Sequence, residues 1–279
     1  MFRPTVTSPP TQSPATAAPS TADLDFRQHN ARLQGWLRDM DFESMSADRI
    51  LAWAEASFDP GRVVLSTSLQ YTGVAMIHMI QQGGLDVRVA TVDTLRLHPE
   101  TYAFLREVEE RFEIEIEVRR PDAAQVRSMV DRFTEYLFFD SKARQEYCCQ
   151  VRKVRPHDEL LKTADCWISG VRRDQSELRR QTPKATSVAE YGSHRRILQV
   201  NPLADWDEER VLTYCTEHDI PRHPLYNQGY RSIGCVICST PSLPEENKRD
   251  GRWRWFNSDE KPDQLELKEC GLHIPSYNI

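Results

Sequence analysis

Residues 63–73 read VVLSTSLQYTG, and this stretch gives the clearest indication of the fold. Its first three residues form a short apolar run that is typical of a buried strand, and a helical pattern follows over residues 72–80. The small hydroxyl residues Ser66, Thr67 and Ser68 lie between them. Hydroxyl groups and backbone N–H groups at a helix start can hold a phosphate, helped by the helix dipole. The loop is neither a Walker motif nor a Rossmann GxGxxG motif, and because Ser and Thr are also ordinary helix caps, both interpretations stay open.

The alternation of strand and helix continues on both sides of this stretch. The predicted strands cover residues 63–65, 87–92, 113–118, 167–170 and 197–200, and the predicted helices cover residues 48–58, 72–80, 98–111 and 206–218. Strands separated by helices of this length are typical of βαβ units. We therefore predict an α/β fold: an open, mostly parallel twisted sheet with helices on both faces. From about Pro221 the pattern is lost, which indicates a long functional arm over the sheet.

Composition and charge exclude several classes of protein. The chain has 279 residues, with 42 acidic and 36 basic side chains and a net charge of −6. A mean hydropathy of −0.62 argues against a transmembrane helix, and an acidic total gives no reason to expect a nucleic-acid partner. Residues 1–22 contain five prolines, eight Ser or Thr residues and one charge, without the apolar core of a signal peptide. We predict a disordered tail there, either a regulatory or targeting arm or a dispensable extension, on a cytoplasmic protein.

Polar residues follow the predicted strands where a parallel sheet binds its ligands. Asp93 and Thr94 close the strand over residues 87–92, and residues 169–176 read SGVRRDQS. The adjacent Arg172 and Arg173 suit the capture of phosphate or sulfate oxygens, although a solvated charge cluster beside Asp174 is an equal alternative. Residues 248–255 read KRDGRWRW, a segment suited to closing over an anionic small molecule.

The seven cysteines all lie in the second half of the chain, at positions 148, 149, 166, 215, 235, 238 and 270. In a cytosolic protein they indicate metal binding or redox chemistry. The pair Cys148-Cys149 and the CxxC motif of Cys235 and Cys238 form a possible four-thiolate site for Zn²⁺ or an iron–sulfur cluster. Neighbouring side chains reach two irons of a cubane more readily than two corners of one tetrahedron, which favours the cluster over zinc or inert thiols.

The other three cysteines have different surroundings. Cys270 lies in KECGLH, residues 268–273, where Lys268 and His273 would favour its thiolate and Glu269 would oppose it. A cysteine on a mobile arm can attack a bound substrate, and an incidental surface thiol is the alternative. Cys166 and Cys215 lie among apolar residues and are predicted to belong to the core.

Together these segments resemble the assimilatory phosphosulfate reductases, specifically the iron–sulfur branch that uses adenosine 5′-phosphosulfate. The matching segments run in family order from about residue 45: LSTS, VDT with PETY, CCQVRKVRP, SGVRRDQS, VNPLADW, HPLYNQGYRSIGCVIC, RDGRWRW and KECGLH. The family fold is a sheet of the adenine-nucleotide alpha-hydrolase type. The resemblance implies a nucleotide- and cluster-binding domain over residues 23–240 and a C-terminal arm over residues 241–279 that carries the catalytic cysteine.

The resemblance also implies a role for each motif residue. Cys148, Cys149, Cys235 and Cys238 would hold a [4Fe–4S] cluster, Cys270 would be the nucleophile, and Lys153 and His273 would assist it. The implied substrate contacts are Ser66, Thr67, Ser68, Asp93, Thr94, Gly170, Val171, Arg172, Arg249 and Arg252.

The implied reaction converts adenosine 5′-phosphosulfate to sulfite and AMP. The Cys270 thiolate would attack the sulfur and become an S-sulfocysteine, from which thioredoxin would release sulfite by exchange at sulfur. The cluster's expected role is electrostatic and structural, acting through Lys153. The expected partners are the nucleotide and thioredoxin, with no nucleic acid and no membrane. Whether the chain forms a homo-oligomer is left open.

Three departures from the family pattern bear on loop geometry. Leu69-Gln70 stands where the family usually has an aromatic-Gly pair, Arg254 interrupts a run of tryptophans, and the spacer between Arg252 and Cys270 looks longer than usual. The nearest alternative is a reductase of 3′-phosphoadenosine 5′-phosphosulfate, or an enzyme using both nucleotides, against which the cluster cysteines argue. The remote alternative is a zinc-stabilised nucleotide-binding module without redox activity.

Overall fold

The computed structural model describes residues 21–246 and 248–256, with side chains from Phe26 to Trp255 except Asn247. The strands are β1 (Val63–Ser66), β2 (Arg88–Val92), β3 (Ile116–Arg119), β4 (Cys166–Ser169), β5 (Ala185–Ala189) and β6 (Arg196–Val200). The α-helices are α1 (Thr21–Asp39), α2 (Ala47–Ser57), α3 (Tyr71–Gln82), α4 (Pro99–Phe112), α5 (Ala123–Phe133), α6 (Lys142–Cys149), α7 (Arg155–Leu161) and α8 (Glu208–Glu217). A π-helix, Gln150–Val154, joins α6 to α7.

The six strands form one sheet in the order β3-β2-β1-β4-β6-β5. All neighbours are parallel except β5, which runs antiparallel to β6 at the edge. The chain builds outward from β1 through β2 to β3 and then returns to β4 on the other side of β1. Loops that leave β1 and β4 therefore diverge, and this is the point where sheets of this kind bind their ligands.

Successive residues of β1 face opposite sides of the sheet, and both sides are covered. Val63 and Leu65 pack into the larger core with helices α2, α3, α4 and α8. Val64 packs on the other side with Leu160 and Leu161 of α7. Strands buried on both faces read as continuous apolar runs, which is why VVL was a clear signal. The predicted α/β fold with a mostly parallel sheet and helices on both faces is confirmed.

The sequence pattern located the central elements but missed those at the periphery. The edge strand β5 and the helices α1, α5, α6 and α7 were not predicted. The third strand begins at Ile116 instead of residue 113, because Glu113 has a left-handed backbone with φ of 52° and ends α4. Cys166 and Cys215 are 0% and 1% exposed, so the prediction that they belong to the core is confirmed.

Between residues 221 and 256 the described helical elements are only short 3₁₀ turns, at Pro224–Gln228, Val236–Cys238 and Arg254–Phe256. This agrees with the loss of pattern after about Pro221. The predicted arm over residues 241–279 is described only to residue 256, and of the predicted tail over residues 1–22 only Thr21 and Ala22, in α1, are described. No helix of the described ranges combines the length and the apolar character that crossing a membrane requires.

Candidate active site

A cavity of about 240 Å³ opens at the carboxyl ends of β1, β2 and β4. Most residues that the sequence singled out meet here: Ser66, Thr67, Ser68, Thr94, Cys148, Cys149, Lys153, Gly170, Val171, Arg172, Cys235, Cys238, Arg249 and Arg252 all line it. Cys270 and His273 lie outside the described residues. The hydroxyl-rich loop after β1 and the cysteine motifs, far apart in sequence, therefore share one space.

The loop between β1 and α3 is held in a tight conformation by its own side chains. The Thr67 hydroxyl accepts a hydrogen bond from the backbone N–H of Leu69 at 2.9 Å, and Leu69 takes a left-handed φ of 57° with its side chain buried. Gly73 faces Thr67 so closely that a Cβ atom at residue 73 would overlap the threonine side chain. The geometry turns the loop directly into the N-terminus of α3, where a phosphate is favoured by the helix dipole.

Gln70 occupies the position where a glycine was expected, and its side chain reaches across the cavity. Its Nε2 donates to the Ser68 hydroxyl at 2.9 Å, and its Oε1 accepts from the backbone N–H of Ile233 at 3.4 Å. Ile233 lies two residues before Cys235. Gln70 thus links the hydroxyl loop to the CxxC segment.

Arg172 lies at the cavity wall as a fully buried guanidinium. It donates two hydrogen bonds to the Asp174 carboxylate, at 2.9 and 3.0 Å, and one to the Thr72 hydroxyl. Burial lowers the pKa of Arg172, but Asp174 and Tyr71 outweigh it and hold that pKa above its ordinary value. Arg173 turns away and pairs with Glu43, so the two arginines do not form one anion clamp.

Asp93 was predicted to contact substrate, but its side chain does not line the cavity. Its carboxylate is buried and accepts hydrogen bonds from the Leu95 N–H and the Tyr102 hydroxyl, both at 2.8 Å, and from Arg120 at 3.0 Å. Through these contacts Asp93 fixes the turn after β2, and this turn presents Thr94 to the cavity.

Four cysteines from two segments line the opposite end of the cavity. Burial raises the pKa of the Cys238 thiol, and the nearby Cys235, Cys149 and Cys148 raise it further. None of the described cysteines forms a disulfide. Within the described ranges, no group of three or more His, Cys, Asp or Glu side chains is arranged to hold a metal ion.

Polar side chains surround these sulfurs. The Thr94 hydroxyl lies 3.2 Å from the Cys235 sulfur, and the Gln145 amide donates to the Cys149 sulfur at 3.2 Å. The buried Arg152 hydrogen-bonds to the Cys148 thiol and donates to the Thr94 carbonyl at 3.2 Å. A cation and several donors around a group of thiols are what a negatively charged sulfur site requires.

Lys153 reaches the cavity from the π-helix that follows the paired cysteines. Residues 142–161 form a continuous helical run in which Pro156 has no N–H to give to the carbonyl of Arg152. The wider π turn lies immediately before this proline, and π turns of this kind often occur at functional sites. The turn places Lys153 and the two cysteines on the same cavity wall.

Residues 248–254 contribute Lys248, Arg249, Arg252 and Trp253 to the cavity lining, and we call this segment the strap. Its Arg252 donates to the Cys238 carbonyl at 3.0 Å, and the backbone N–H of Trp253 donates to the same carbonyl at 3.2 Å. The Arg252 guanidinium lies against Gly234, where any Cβ atom would displace it. The strap is therefore anchored to the CxxC segment, and it brings Arg249 and Arg252 to the cavity.

Several lining residues were not identified from the sequence as parts of the site, among them Tyr71, Arg96, His157 and Trp167. His157 is completely buried, and burial followed by the charge of Lys153 lowers its pKa to about 3. Its Nε2 has no hydrogen-bond partner among the described residues. Its position one helical turn after Lys153 was the one signal that could have revealed it.

The fold by itself places the chain among α/β proteins with a doubly wound, mostly parallel sheet. Solved structures with the same fold include a phosphoadenylyl-sulfate reductase from Candida auris in a phosphate complex, with a TM-score of 0.59 and 22% identity, covering 81% of this chain and 100% of that one. An FMN adenylyltransferase from Candida glabrata matches with a TM-score of 0.51 and 12% identity, covering 79% of this chain and 72% of that one. At these identities the likeness concerns the fold alone.

Sequence comparison gives the family. The family model described as phosphoadenosine phosphosulfate reductase domain matches residues 62–241. An adenosine 5′-phosphosulfate reductase of Agrobacterium fabrum is 39% identical over 214 residues, 77% of this chain and 78% of the relative. One from Allochromatium vinosum is 35% identical over 211 residues, 76% and 78% of the two chains. The chain belongs to the phosphoadenosine phosphosulfate reductase family, which confirms the family predicted from its motifs.

Proposed function

We propose that this chain reduces adenosine 5′-phosphosulfate to sulfite and AMP, with thioredoxin as the electron donor, in the cytoplasm. The observation that carries the proposal is that the hydroxyl loop after β1 and four cysteines from two distant segments line one cavity. The relatives named adenosine 5′-phosphosulfate reductase, at 35% to 39% identity, support this nucleotide as the substrate.

The cavity has the electrostatics that an anionic nucleotide needs. Ser66, Thr67 and Ser68 would hold a phosphate at the start of α3. Lys153, Arg249 and Arg252 would bring positive charge to the transferred sulfonate and to the phosphate that leaves. These charges are in place before the substrate binds, so no reorganisation is required when charge moves in the transition state.

The four cysteines fit a [4Fe–4S] cluster by their chemistry and surroundings. They come from two segments that line one cavity, and the buried Arg152 beside Cys148 would balance part of a cluster's negative charge. Cys148, Cys149, Cys235 and Cys238 would hold the cluster. When bound, it would cross-link α6 to the CxxC segment and set the electrostatic field around Lys153.

The covalent step falls to Cys270. Its thiolate would attack the sulfur of the sulfate group, a bond between the two sulfurs would form, and the sulfur–oxygen bond to the phosphate would break with its electron pair leaving on AMP. A thioredoxin thiolate would then attack the Cys270 sulfur, release sulfite, and finish as a disulfide with the second thioredoxin thiol. His273 would assist the nucleophile.

Intact-mass analysis tests the nucleophile. After incubation with adenosine 5′-phosphosulfate, the wild-type chain is expected to gain the mass of one sulfonate, which reduced thioredoxin removes. Cys270→Ser should bind the nucleotide and gain no mass. Cys166→Ser, at a buried core thiol, is the matched control and should still gain the adduct. Sulfite release at the wild-type rate by Cys270→Ser would refute the assignment.

Two measurements test the cofactor and the substrate. An absorption band at about 400 nm with iron and sulfide in the protein would support the cluster, whereas a colourless protein with stoichiometric zinc would refute it.

Comparing kcat/KM for adenosine 5′-phosphosulfate and 3′-phosphoadenosine 5′-phosphosulfate tests specificity. A clear preference for the 3′-phosphorylated nucleotide would overturn the choice of substrate.

A further inference from the structure

The strap is fastened at two ends by different kinds of contact. Arg252 and Trp253 bind the Cys238 carbonyl on the thiol side of the cavity. On the side of the hydroxyl loop, the Nζ of Lys248 lies 2.5 Å from a carboxylate oxygen of Glu208, in the first turn of α8. The second fastening is therefore ionic, and it joins the strap to a helix that packs on the sheet.

The Lys248–Glu208 pair belongs to a closed polar network. The Tyr71 hydroxyl donates to the other Glu208 oxygen at 2.7 Å, and the Arg172 guanidinium lies over the Tyr71 ring at 5.4 Å. Arg172 pairs with Asp174, whose second oxygen lies 3.8 Å from the Lys248 Nζ. The network thus connects the strap to the first residue of α3 and to the loop after β4, the two walls between which the cavity opens.

Burial makes this pair more effective than an ordinary surface ion pair. The side chains of Lys248 and Glu208 are 29% and 32% exposed, and Lys248 and the tyrosine hold the pKa of Glu208 below its usual value although burial opposes the charge. The carboxylate therefore stays charged at neutral pH. Because the pair is still partly solvated, it can also open without burying an isolated charge.

We propose that Lys248 is a positioning residue for nucleotide binding: its ion pair with Glu208 holds the strap closed over the hydroxyl-loop side of the cavity. Lys248 acts through Glu208, and the closed strap keeps Arg249, the next residue, at the cavity wall. Only the identity of the nucleotide rests on the proposed function.

Binding of AMP to the full-length protein, measured by calorimetry, tests the proposal with a double-mutant cycle. Lys248→Met and Glu208→Gln should each raise Kd for AMP by about fivefold, and the double variant by no more than either one, because both break the same pair. Lys248→Arg keeps the charge and should stay close to the wild type. In the reductase assay the effect should fall mainly on KM.

Amide hydrogen exchange without any ligand gives a readout that is independent of activity. Lys248→Met should speed exchange at the backbone N–H of Trp253, whose hydrogen bond to the Cys238 carbonyl reports strap closure. Lys162→Met removes an exposed pair with Glu159 far from the cavity and is the matched control, with no change expected in binding or exchange.

Two results would overturn the proposal. If the effects of Lys248→Met and Glu208→Gln on Kd multiply, Lys248 acts on the nucleotide directly. If exchange at the Trp253 N–H is unchanged in Lys248→Met, the pair does not hold the strap. A wild-type protein that binds AMP but releases no sulfite would refute the proposed function and leave this inference standing, and one that binds no AMP would leave the exchange result to decide.

Discussion

The sheet and the segment over residues 221–256 are held together by different forces, although both contribute residues to the same cavity. The sheet joins its strands by backbone hydrogen bonds and buries apolar side chains on both faces. Over residues 221–256 charged and aromatic side chains make several of the described contacts. Arg254 pairs with Glu246, and the Trp255 indole donates to the Phe138 carbonyl at 3.2 Å.

This difference separates stability from function. A substitution in the sheet or in the helices packed on it disturbs a packed interior, where voids and overlaps cost stability. A substitution within residues 221–256 removes a contact at the surface of that interior. It should therefore change ligand binding more than the free energy of unfolding. Four predictions test this contrast, in decreasing order of expected effect.

Arg172→Met should have the largest effect. It leaves the Asp174 carboxylate without its bidentate partner and the buried Thr72 hydroxyl without a donor. We expect a loss of about 3 kcal/mol in the free energy of unfolding, measured by urea denaturation, together with weaker AMP binding. Arg173→Met is the control: its partner Glu43 is half-exposed, and the loss should stay below about 1 kcal/mol. Equal losses would contradict the buried role of Arg172.

A matched pair of glycine variants compares the two regions directly. In Gly73→Ala the new methyl group overlaps Thr67 inside the packed loop, and about 2 kcal/mol of unfolding free energy should be lost. In Gly234→Ala it meets the end of the flexible Arg252 side chain, which can move, so the loss should be below about 1 kcal/mol while KM rises. Thermal and urea denaturation beside kinetics separate the two. A greater loss of stability in Gly234→Ala would break the contrast.

The buried His157 makes the free energy of unfolding depend on pH. Its pKa is about 3 in the folded protein and 6.5 in the reference state, so below about pH 6.5 the unfolded chain binds a proton that the folded chain does not. The free energy of unfolding should therefore fall with decreasing pH, and this residue contributes about 2 kcal/mol of the fall between about pH 7 and pH 5. His157→Leu should lack that part. Identical pH profiles of the two proteins would show that His157 is protonated in the folded state.

Gln70→Gly should have the smallest effect on stability, about 0.5 kcal/mol to 1 kcal/mol, since it removes two side-chain hydrogen bonds and loosens the start of α3. The link to the CxxC segment is lost, so KM should rise with little change in kcat. Gln70→Glu keeps the side-chain length but adds negative charge near the anion, and it should raise KM further. A lower KM in Gln70→Gly would show that the side chain obstructs the site.

The sheet could be predicted because its signals are local. Val63, Val64 and Leu65 are buried on both faces and read as an uninterrupted apolar run, and the helices that follow the strands have clear periodicity. Strand β5 is half-exposed at the edge, and its residues ATSVA carry no such signal. The helices α6 and α7 are joined through a π turn that breaks the ordinary period, which removed the pattern there.

The site could be predicted residue by residue only where a motif matched. The motifs placed the four cysteines, Lys153 and the strap arginines at one cavity. They could not reveal that the Asp93 carboxylate accepts from Tyr102, Arg120 and the Leu95 N–H, or that Arg173 pairs with Glu43, because a motif does not specify the partners of its side chains. Lys248 was visible only as part of a basic segment, since its meaning depends on Glu208, 40 positions earlier.

The π turn after the paired cysteines has a consequence for insertions and deletions. A π turn holds one residue more than the α turn it replaces, so removing any one residue from Gln150–Val154 would let the helix close to its normal winding. Because the π turn absorbs the extra residue, α6 and α7 would keep nearly the same orientation to each other, and the change would fall on the residues inside the turn, Lys153 among them. In such a chain the paired cysteines, the lysine and the proline would still be recognised, but the wider turn that presents the lysine would be lost. The count of residues between the cysteine pair and Pro156 is therefore as informative as their identity.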